Sequence, residues 1–250
     1  MSVSTSMVVS VVSHGHGNLL QTLLQQLATQ ALQAAAPITR VVLTQNIPEP
    51  DPIAPASGWP FALELIRNAQ PKGFGANHNQ ALAGACESQV CVLNPDVRVL
   101  DDGQRPFAQM SQVASEPGVG CAYPLQVDEH GVLQESEREL PSPLALWRRR
   151  VLKQGQKQVD WVNAACMVIP ADVWRSVQGF DEGYFMYCED VDLSLRIRLL
   201  GQRLQRVPVR IEHAGQRASS RQWRHLLWHV RSLLRLWSSS PYRQMVARKN

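Results

Sequence analysis

Short apolar runs alternate with amphipathic segments along the first hundred residues. The runs MVVSVV, ITRVVLT, FALELI and SQVCVL have the length of β-strands, and leucines recur at helical spacing from Leu19 to Leu27 after the first run. A second helix is predicted in GANHNQALAGACE, between the third and fourth runs. Strands that alternate with helices indicate a mostly parallel central sheet flanked by helices. We therefore expect an α/β fold with its ligand site beyond the carboxyl ends of the strands.

The second half of the chain has a less regular pattern. We predict a hairpin about Glu129 to Gly131, a buried strand in VDWVNAACMVIP, a short helix in ADVWRSV and a last strand in RLQRVPVRIEHA. Between the short helix and the last strand, GFDEGYFMYCEDVDLSLRIRLLG predicts a turn followed by a helix. The stretch 135–158 is polar, basic and broken by prolines, which is typical of a mobile loop or lid.

A basic amphipathic helix is predicted near the end of the chain. Its arginines Arg224, Arg231 and Arg235 gather on one side, together with Trp228. Its apolar stripe consists of Trp223, Leu226, Leu227, Val230, Leu233, Leu234 and Trp237. Such a helix can lie in a membrane interface, pack on the body of the protein or pair with a second subunit. We expect the main domain to occupy residues 1–218 and this helix and tail to occupy residues 219–250.

Charge and composition narrow the class of protein. Residues 203–250 carry a net charge of +10, whereas the first 202 residues carry −6. With 250 residues and 44% hydrophobic content, the chain can form a core without disulfides. Its five cysteines lie mostly in apolar runs and show no CxxC spacing, so we expect them to be reduced. Because we find no export signal and no apolar run of roughly 18 residues, we expect a cytoplasmic protein.

Polar residues follow three of the predicted strands. Asp96 stands in NPDVRV after the fourth strand, SHGHG follows the first strand, and TQN follows the second. The carboxyl ends of parallel strands meet at one edge of a sheet, so these residues are expected to lie together. An Asx turn that merely ends a strand is the alternative explanation for Asn-Pro-Asp.

Four segments, taken in order, resemble the family 2 glycosyltransferases, in particular the branch that contains rhamnosyltransferases. They are VVSVVSHGHGNLLQTLLQQL, GFGANHNQAL with VCVLNPDVRVL, WVNAACMVIPADVWRSVQGFDEGYFMYCEDVDLSLRIRLLG, and VPVRIEHAG. The third segment is the most specific because it combines a Gly-Phe-Asp-Glu turn, several aromatic residues and a Glu-Asp pair at a helix start. The resemblance implies the glycosyltransferase A-type fold, with a C-terminal amphipathic helix following the catalytic domain.

The implied activity is inverting, metal-dependent transfer of a hexose or deoxyhexose such as rhamnose. The donor would be a dTDP- or UDP-linked sugar, and the acceptor a bacterial cell-surface glycan or lipid-linked glycan. By resemblance, Asp96 and His213 hold Mg²⁺ or Mn²⁺, and Asn94 replaces the first carboxylate of the family's Asp-any-Asp motif. Hard divalent cations take oxygen ligands and are often held by few carboxylates plus phosphates. A sugar hydroxyl needs a base to take its proton, and we assign that role to Asp190.

The remaining site residues follow from the same resemblance. Glu189 is expected to orient the acceptor or to cap its helix, and Asp192 to form a surface pair with Arg196. Trp161 joins Tyr184, Tyr187 and Phe185 as candidates for an acceptor pocket, although Phe185 is expected in the core. The residues assigned to the donor nucleotide are Ser13, His14, Gln45, Asn46, Gly73 and Asn79. Gln45 stands where many relatives have an aspartate, which leaves the identity of the base open.

Three alternatives differ in class. A membrane-surface or nucleic-acid-binding module without catalysis would use the basic tail. Nucleic acid is disfavoured because the acidic clusters would repel phosphate in the absence of a metal. A sugar nucleotidylyltransferase would need a basic phosphate loop after the first strand, and SHGHGN contains no lysine or arginine. An anionic membrane surface and a homodimer both remain open as partners of the last helix.

Overall fold

The structure is a computed structural model that describes residues 5–100, 102–142, 159–213 and 223–249. The strands are β1 (Met7–Ser13), β2 (Ile38–Gln45), β3 (Ala62–Arg67), β4 (Gln89–Leu93), β5 (Val97–Val99), β6 (Val119–Val127), β7 (Glu137–Arg138), β8 (Trp161–Val162), β9 (Cys166–Pro170) and β10 (Arg203–His213). The helices are α1 (Asn18–Ala31), α2 (Phe74–Leu82), α3 (Pro106–Ala114), α4 (Ala171–Val177), α5 (Glu189–Leu199), α6 (Trp223–Ser238) and α7 (Ser240–Lys249).

Eight of these strands form one central sheet in the order β3-β2-β1-β4-β9-β6-β10-β5. Strands β1 to β4, β6 and β10 run in one direction, and β9 and β5 run against them. The predicted α/β fold with a mostly parallel sheet is confirmed. The carboxyl ends of β1, β2, β4, β6 and β10 consequently lie along the same edge of the sheet.

Different helices cover the two faces of the large sheet. Helices α1 and α3 pack on one face through residues such as Leu23 and Phe107. Helices α2, α4 and α5 pack on the other face through Leu82, Trp174 and Leu193. All five residues of β4 are buried because this strand lies between the two layers. This burial explains why β4 reads as a continuous apolar run.

A third apolar cluster joins the C-terminal helices to the body. Leu236 of α6 and Tyr242 and Met245 of α7 pack with Trp161 and Leu195 of the body. The division into residues 1–218 and 219–250 stays a prediction, but α6 and α7 share core contacts with the main domain. No helix among the described residues is long and apolar enough to span a membrane.

The predicted strand VDWVNAACMVIP is wrong in one respect. The segment forms two strands in different sheets: β8 pairs with β7, and β9 pairs with β4 and β6. Residues 163–165 separate them, because the side chain of Asn163 turns to bond Gln126 and the chain changes sheets there. The predicted hairpin is confirmed by the bond from the Asp128 N–H to the Val132 carbonyl. Residues 143–158 of the predicted lid lie outside the described residues.

Candidate active site

Two of the sequence-predicted residues, Asp96 and His213, meet at the edge where the parallel strands end. Asp96 lies in the turn between β4 and β5, and His213 is the last residue of β10, which pairs antiparallel with β5. This pairing brings His213 Nε2 to 3.4 Å from Asp96 Oδ1. His16, in the loop after β1, is near enough for its charge to affect the pKa of Asp96. The strand-end location predicted for Asp96 and His213 is therefore confirmed.

Two amide side chains, missed in the sequence, orient His213. Gln126 near the end of β6 offers its Oε1 at 3.2 Å from His213 Nδ1. Asn163 donates to the same oxygen at 3.0 Å, and its own oxygen accepts a bond from Gln126. When Nδ1–H donates to this amide oxygen, Nε2 is the ring nitrogen of His213 that faces Asp96. Such outer partners commonly fix the orientation of a metal-binding histidine. Only its position could have indicated Gln126, which lies shortly before the predicted hairpin turn at Glu129 to Gly131.

The donor atoms at this edge fit a hard divalent cation that is completed by the substrate. Asp96 and His213 stand close enough for both to bind one ion at bond lengths of about 2.1 Å. In the same turn, the buried Oδ1 of Asn94 has no hydrogen-bond partner among the described residues. No group of three or more His, Cys, Asp or Glu side chains in the described part of the chain forms a metal site. A cation here would need the donor's phosphates as further ligands.

The charge of Asp96 depends on its neighbours. Burial tends to raise the pKa of this carboxyl group, but the hydrogen bond and charge of His213 outweigh burial. The pKa of Asp96 is therefore lower than that of an ordinary aspartate. Burial also lowers the pKa of His16, against the attraction of Asp96. At neutral pH the edge presents an ionised carboxylate.

The second pair of carboxylates begins helix α5. Glu189 is only 7% exposed, and its Oε2 has no hydrogen-bond partner among the described residues, whereas Asp190 is partly open to solvent. The chain enters this helix through Tyr187 and Cys188, whose φ angles of 72° and 67° are uncommon for residues with a side chain. Strain of this kind requires support from the surroundings, and it fixes the direction in which the two carboxylates project.

Burial governs the titration of this pair. Desolvation raises the pKa of Glu189, and the adjacent charge of Asp190 raises it further. Desolvation also raises the pKa of Asp190, while the Val191 N–H and the positive charge of Arg138 lower it. Asp190 is therefore the member of the pair that ionises more readily and the better candidate for a base. Arg138 lies in strand β7, inside the stretch 135–158 that was predicted to be a loop, and no motif there indicated a site residue.

The residues predicted to bind the nucleotide lie after β1 and β2. Ser13 Oγ is 3.3 Å from His16 Nδ1, and the exposed His14 has its Nδ1 3.3 Å from Asn46 Nδ2. Gln45 is buried, and its amide donates to Asp51 Oδ1 at 3.2 Å and to two carbonyls of the same loop. Asp51 therefore brings a carboxylate close to Gln45, the position where many relatives have an aspartate. Base reading by Gln45 stays a prediction.

Other predicted nucleotide residues hold the loop between α4 and α5 (residues 178–188). Gly73 gives room for this loop, since a Cβ at Gly73 would stand 2.7 Å from the Phe185 carbonyl oxygen. Asn79 donates to the carbonyl of Phe180 at 2.9 Å and accepts from its N–H at 2.8 Å. Asn46 has a similar bridging role, because its amide bonds both the N–H and the carbonyl of Lys72. Direct contact of these residues with a nucleotide stays a prediction.

The aromatic residues of the site are placed differently from expectation. Phe185, expected in the core, is 42% exposed, whereas Tyr184 is 1% exposed. The irregular α4–α5 loop has no fixed period, so its sequence did not indicate which ring points inward. Trp161 is largely buried, with its indole N–H on the Glu139 carbonyl at 2.8 Å, and its role in an acceptor pocket stays a prediction.

Asp192 and Arg196 form the expected pair, but Asp192 is buried and not on the surface. Asp192 is 2% exposed and lies 2.7 Å from Arg196, which also donates to the Gly179 carbonyl at 2.7 Å. Burial raises the pKa of Asp192, and Arg196 opposes that rise. The pair is not on the surface because α4 and its following turn cover this face of α5.

Comparisons with known proteins agree with this arrangement. The chain is 31% identical to the rhamnosyltransferase WbbL of Escherichia coli (strain K12) over 184 residues, 65% of this chain and 69% of WbbL. It is 27% identical over 205 residues to the N-acetylglucosaminyl-diphospho-decaprenol L-rhamnosyltransferase of Mycobacterium tuberculosis (strain ATCC 25618 / H37Rv), 70% of this chain and 66% of that protein. The chain thus spans about two thirds of the length of both relatives. No family model matches it.

Solved structures show the same fold at low sequence identity. The mannosyltransferase PcManGT from Pyrobaculum calidifontis, in complex with GDP-Man and Mn²⁺, has a TM-score of 0.62 and 16% identity, with 96% of this chain and 67% of that chain covered. TarS 1-349 of S. aureus has a TM-score of 0.59 and 12% identity, with 94% and 66% covered. These likenesses concern the glycosyltransferase fold.

Proposed function

Because the chain belongs to the rhamnosyltransferase-like family 2 glycosyltransferases, we propose that it transfers a deoxyhexose, with rhamnose as the first candidate, from a dTDP- or UDP-linked donor to a bacterial cell-surface glycan. The chain is a nucleotide-sugar glycosyltransferase. Its family membership therefore argues against a sugar nucleotidylyltransferase and against a module without catalysis. One observation carries the proposed mechanism. The His213–Gln126–Asn163 hydrogen bonds connect the Asp96 turn with the chain that leads into β9, beside the Glu189–Asp190 pair.

In the proposed reaction, Asp190 removes the proton of an acceptor hydroxyl as its oxygen attacks C1 of the donor sugar. The bond from C1 to the diphosphate oxygen breaks, the nucleoside diphosphate leaves, and the configuration at C1 inverts in this single displacement. Asp96 and His213 would hold Mg²⁺ or Mn²⁺, which would neutralise charge on the leaving diphosphate. Glu189, protonated because burial raises its pKa, would donate a hydrogen bond to the acceptor.

A panel of sugar nucleotides with Mn²⁺ tests this function. A dTDP- or UDP-sugar at 100 times its dissociation constant should add about 2.7 kcal/mol to the free energy of unfolding, and chelation of the metal should remove most of that gain. NMR of the product formed with that donor should show the inverted anomer. Stabilisation that is equal with and without metal would contradict metal dependence, and retained configuration would contradict the single displacement.

We also propose that the protein works at an anionic membrane surface, where a lipid-linked acceptor would be found. Helix α6 docks on the body with one face and leaves five large apolar side chains exposed on another. These are Trp223 (71% exposed), Leu226 (64%), Leu227 (57%), Val230 (46%) and Leu234 (60%); we call them the outer stripe. No acidic residue follows Glu212 in the sequence, so the stripe is accompanied only by basic charge. An amphipathic helix of this kind binds anionic lipid.

A homodimer through the outer stripe is the competing use. Stable interfaces typically contain about 20–30 residues on each side, whereas the stripe offers five. The basic residues around it would also face their own copies across a two-fold axis. Both facts favour lipid over a second subunit. A cytoplasmic location on the inner face of the plasma membrane follows as part of this proposal.

A further inference from the structure

A cavity of about 450 Å³ lies between α6 and the α4–α5 loop. The loop contributes Glu182 and Phe185, and the helix contributes Trp228, Arg231 and Arg235. The cavity combines aromatic surface with a few polar groups, which is the usual composition of a ligand site. Gly73 also lines the cavity, whereas the outer stripe, Asp96 and Asp190 do not, so the cavity is separate from the groups proposed to bind the metal and to take the proton.

Arg231 is the cation in this cavity that is available to a ligand. Its side chain is exposed, and it forms no hydrogen bond or ion pair with any residue that the structure describes. Arg235, one turn further along, is already paired with Asp181 at 2.8 Å and stacks on Tyr184. A guanidinium group binds phosphate oxygens well, often through two parallel hydrogen bonds.

The loop side of the cavity is suited to a sugar. The rings of Phe185 and Trp228 have centroids 5.1 Å apart and provide an apolar wall for the C–H face of a pyranose. The carboxylate of Glu182, which accepts a bond from Asn79 at 3.0 Å, can accept sugar hydroxyls but repels phosphate. The charges therefore place a phosphate at Arg231 and an uncharged sugar beside the rings.

Arg231 also borders the outer stripe. On a helix surface, residues three and four positions apart are neighbours. On the outer stripe, Leu227 and Leu234 are four and three positions from Arg231. On the cavity side, Trp228 and Arg235 are three and four positions from it. A molecule with an apolar chain, a phosphate and a sugar would meet these surfaces in that order.

We propose that this cavity is an acceptor subsite, in which Arg231 binds the phosphate of a lipid-linked glycan and Phe185 and Trp228 contact the adjoining sugar. The inference rests on the proposed glycosyl transfer and assigns a binding site to the lipid-linked acceptor proposed there. The group that Arg231 would bind is a phosphate ester at a lipid surface. Both the lipid-linked acceptor and bulk phospholipid carry such a group.

Calorimetry with farnesyl diphosphate tests the subsite in the full chain. EDTA is present so that the diphosphate cannot bind through a metal. Arg231→Gln should weaken binding by about 10- to 100-fold, the range for loss of a charge-assisted hydrogen bond. Arg248→Gln, which removes the same charge from α7, should change it less than about twofold. The two variants should bind phosphatidylglycerol vesicles equally well.

Three results would contradict the subsite. Arg231→Gln could bind farnesyl diphosphate as well as the wild type does, or both variants could weaken binding equally. A loss of vesicle binding in Arg231→Gln alone would mean that Arg231 contacts lipid headgroups in general. Binding of the donor with Mn²⁺ is measured on the same proteins. If donor binding persists while the subsite test fails, only the subsite is wrong; if the wild-type protein binds no donor, the proposed function itself fails.

Discussion

At the scale of single residues, the two halves of the site differ in electrostatics. Asp96 is an ionised carboxylate with a lowered pKa because His213 stands against it. Burial raises the pKa values of Glu189 and Asp190, and the adjacent charge of Asp190 raises that of Glu189 further. The environments thus lower the pKa of one carboxyl group and raise the pKa values of two others. Such differences are typical of functional sites, and they suit metal binding at Asp96 and proton transfer at Asp190.

Asp96→Asn should abolish metal-dependent donor binding while the fold persists. The amide has nearly the same shape but lacks the charge that a divalent cation needs. Calorimetry with the donor and Mn²⁺ should show at least about a tenfold loss of affinity, the scale reported for changes around metal ligands. Asp102→Asn, at a carboxylate outside the site that pairs with Arg210, is the control and should bind normally. Normal binding of the donor with Mn²⁺ by Asp96→Asn would contradict the assignment of Asp96 as a metal ligand.

Asp190→Asn should reduce turnover by roughly 100-fold or more, because the amide cannot take the proton of the acceptor. The dissociation constant of the donor should stay within about twofold, since the base acts on the acceptor. Glu189→Gln keeps a hydrogen-bond donor at its position and should retain more activity than Asp190→Asn. The reverse order of these two variants in a steady-state assay would transfer the role of base to Glu189.

The rate should also report the raised pKa of Asp190. A base works in its ionised form, so activity is present above its pKa and is lost as the pH falls through it. Because burial raises the pKa of Asp190, the acid limb of kcat should lie above the range of an ordinary aspartate. Arg138→Gln removes a charge that lowers this pKa, and the limb should then move to higher pH. If the acid limb of kcat stays at the same pH in Arg138→Gln, Arg138 does not influence the pKa of the base.

The sequence indicated the strand-end and helix-end positions of some candidate residues but not their neighbours in the fold. Asp96, His213 and Asp190 could be predicted because they follow apolar runs or stand in a recognisable motif. Gln126 and Arg138 could not, because their function depends on strand partners that a single sequence does not reveal. The exposure of Phe185 and the burial of Tyr184 were likewise hidden, since an irregular loop has no periodicity to assign its inner face.

At the scale of elements, α6 supports the α4–α5 loop, which leads into the helix that begins with Glu189 and Asp190. Ser232 donates to the Met186 carbonyl at 2.9 Å, Tyr187 Oη is 2.9 Å from His225 Nδ1, and Arg235 binds Asp181. These contacts surround the strained residues that precede Glu189. The amphipathic pattern predicted the helix itself, but not its division between body and solvent. Leu233 and Trp237 of the predicted stripe pack on the body, beside polar contacts from His225 and Ser232, and only the rest of the stripe is exposed.

Leu236→Ala should destabilise the whole protein by about 2–5 kcal/mol, because a fully buried leucine is removed from the cluster that joins α6 to the body. Leu234→Ala, two residues earlier and 60% exposed, should change stability by no more than about 0.5 kcal/mol. Urea unfolding measures both. Equal and small effects would mean that α6 is not part of the cooperative fold.

At the scale of the whole molecule, different faces of α6 have different surroundings. One face is fixed to the α4–α5 loop and the third apolar cluster, and the outer stripe is exposed. Attachment of the stripe to a membrane would therefore hold the site at a defined height above the lipid surface. This geometry suits an acceptor whose sugar stands on a lipid carrier.

The outer stripe should bring the full chain to vesicles of phosphatidylglycerol in flotation assays. Paired changes Leu226→Gln and Leu227→Gln should reduce the floated fraction severalfold, because two exposed apolar anchors are lost without any effect on the core. The matched control is Leu32→Gln with Ile53→Gln, at positions that are 75% and 78% exposed on the body. High salt should weaken flotation of the wild-type protein, since basic charge acts over a Debye length of roughly 8 Å at physiological salt. If the wild-type chain never floats, and light scattering shows that the Leu226/Leu227 variant converts a dimer into a monomer, the stripe is a subunit interface and the membrane proposal is wrong.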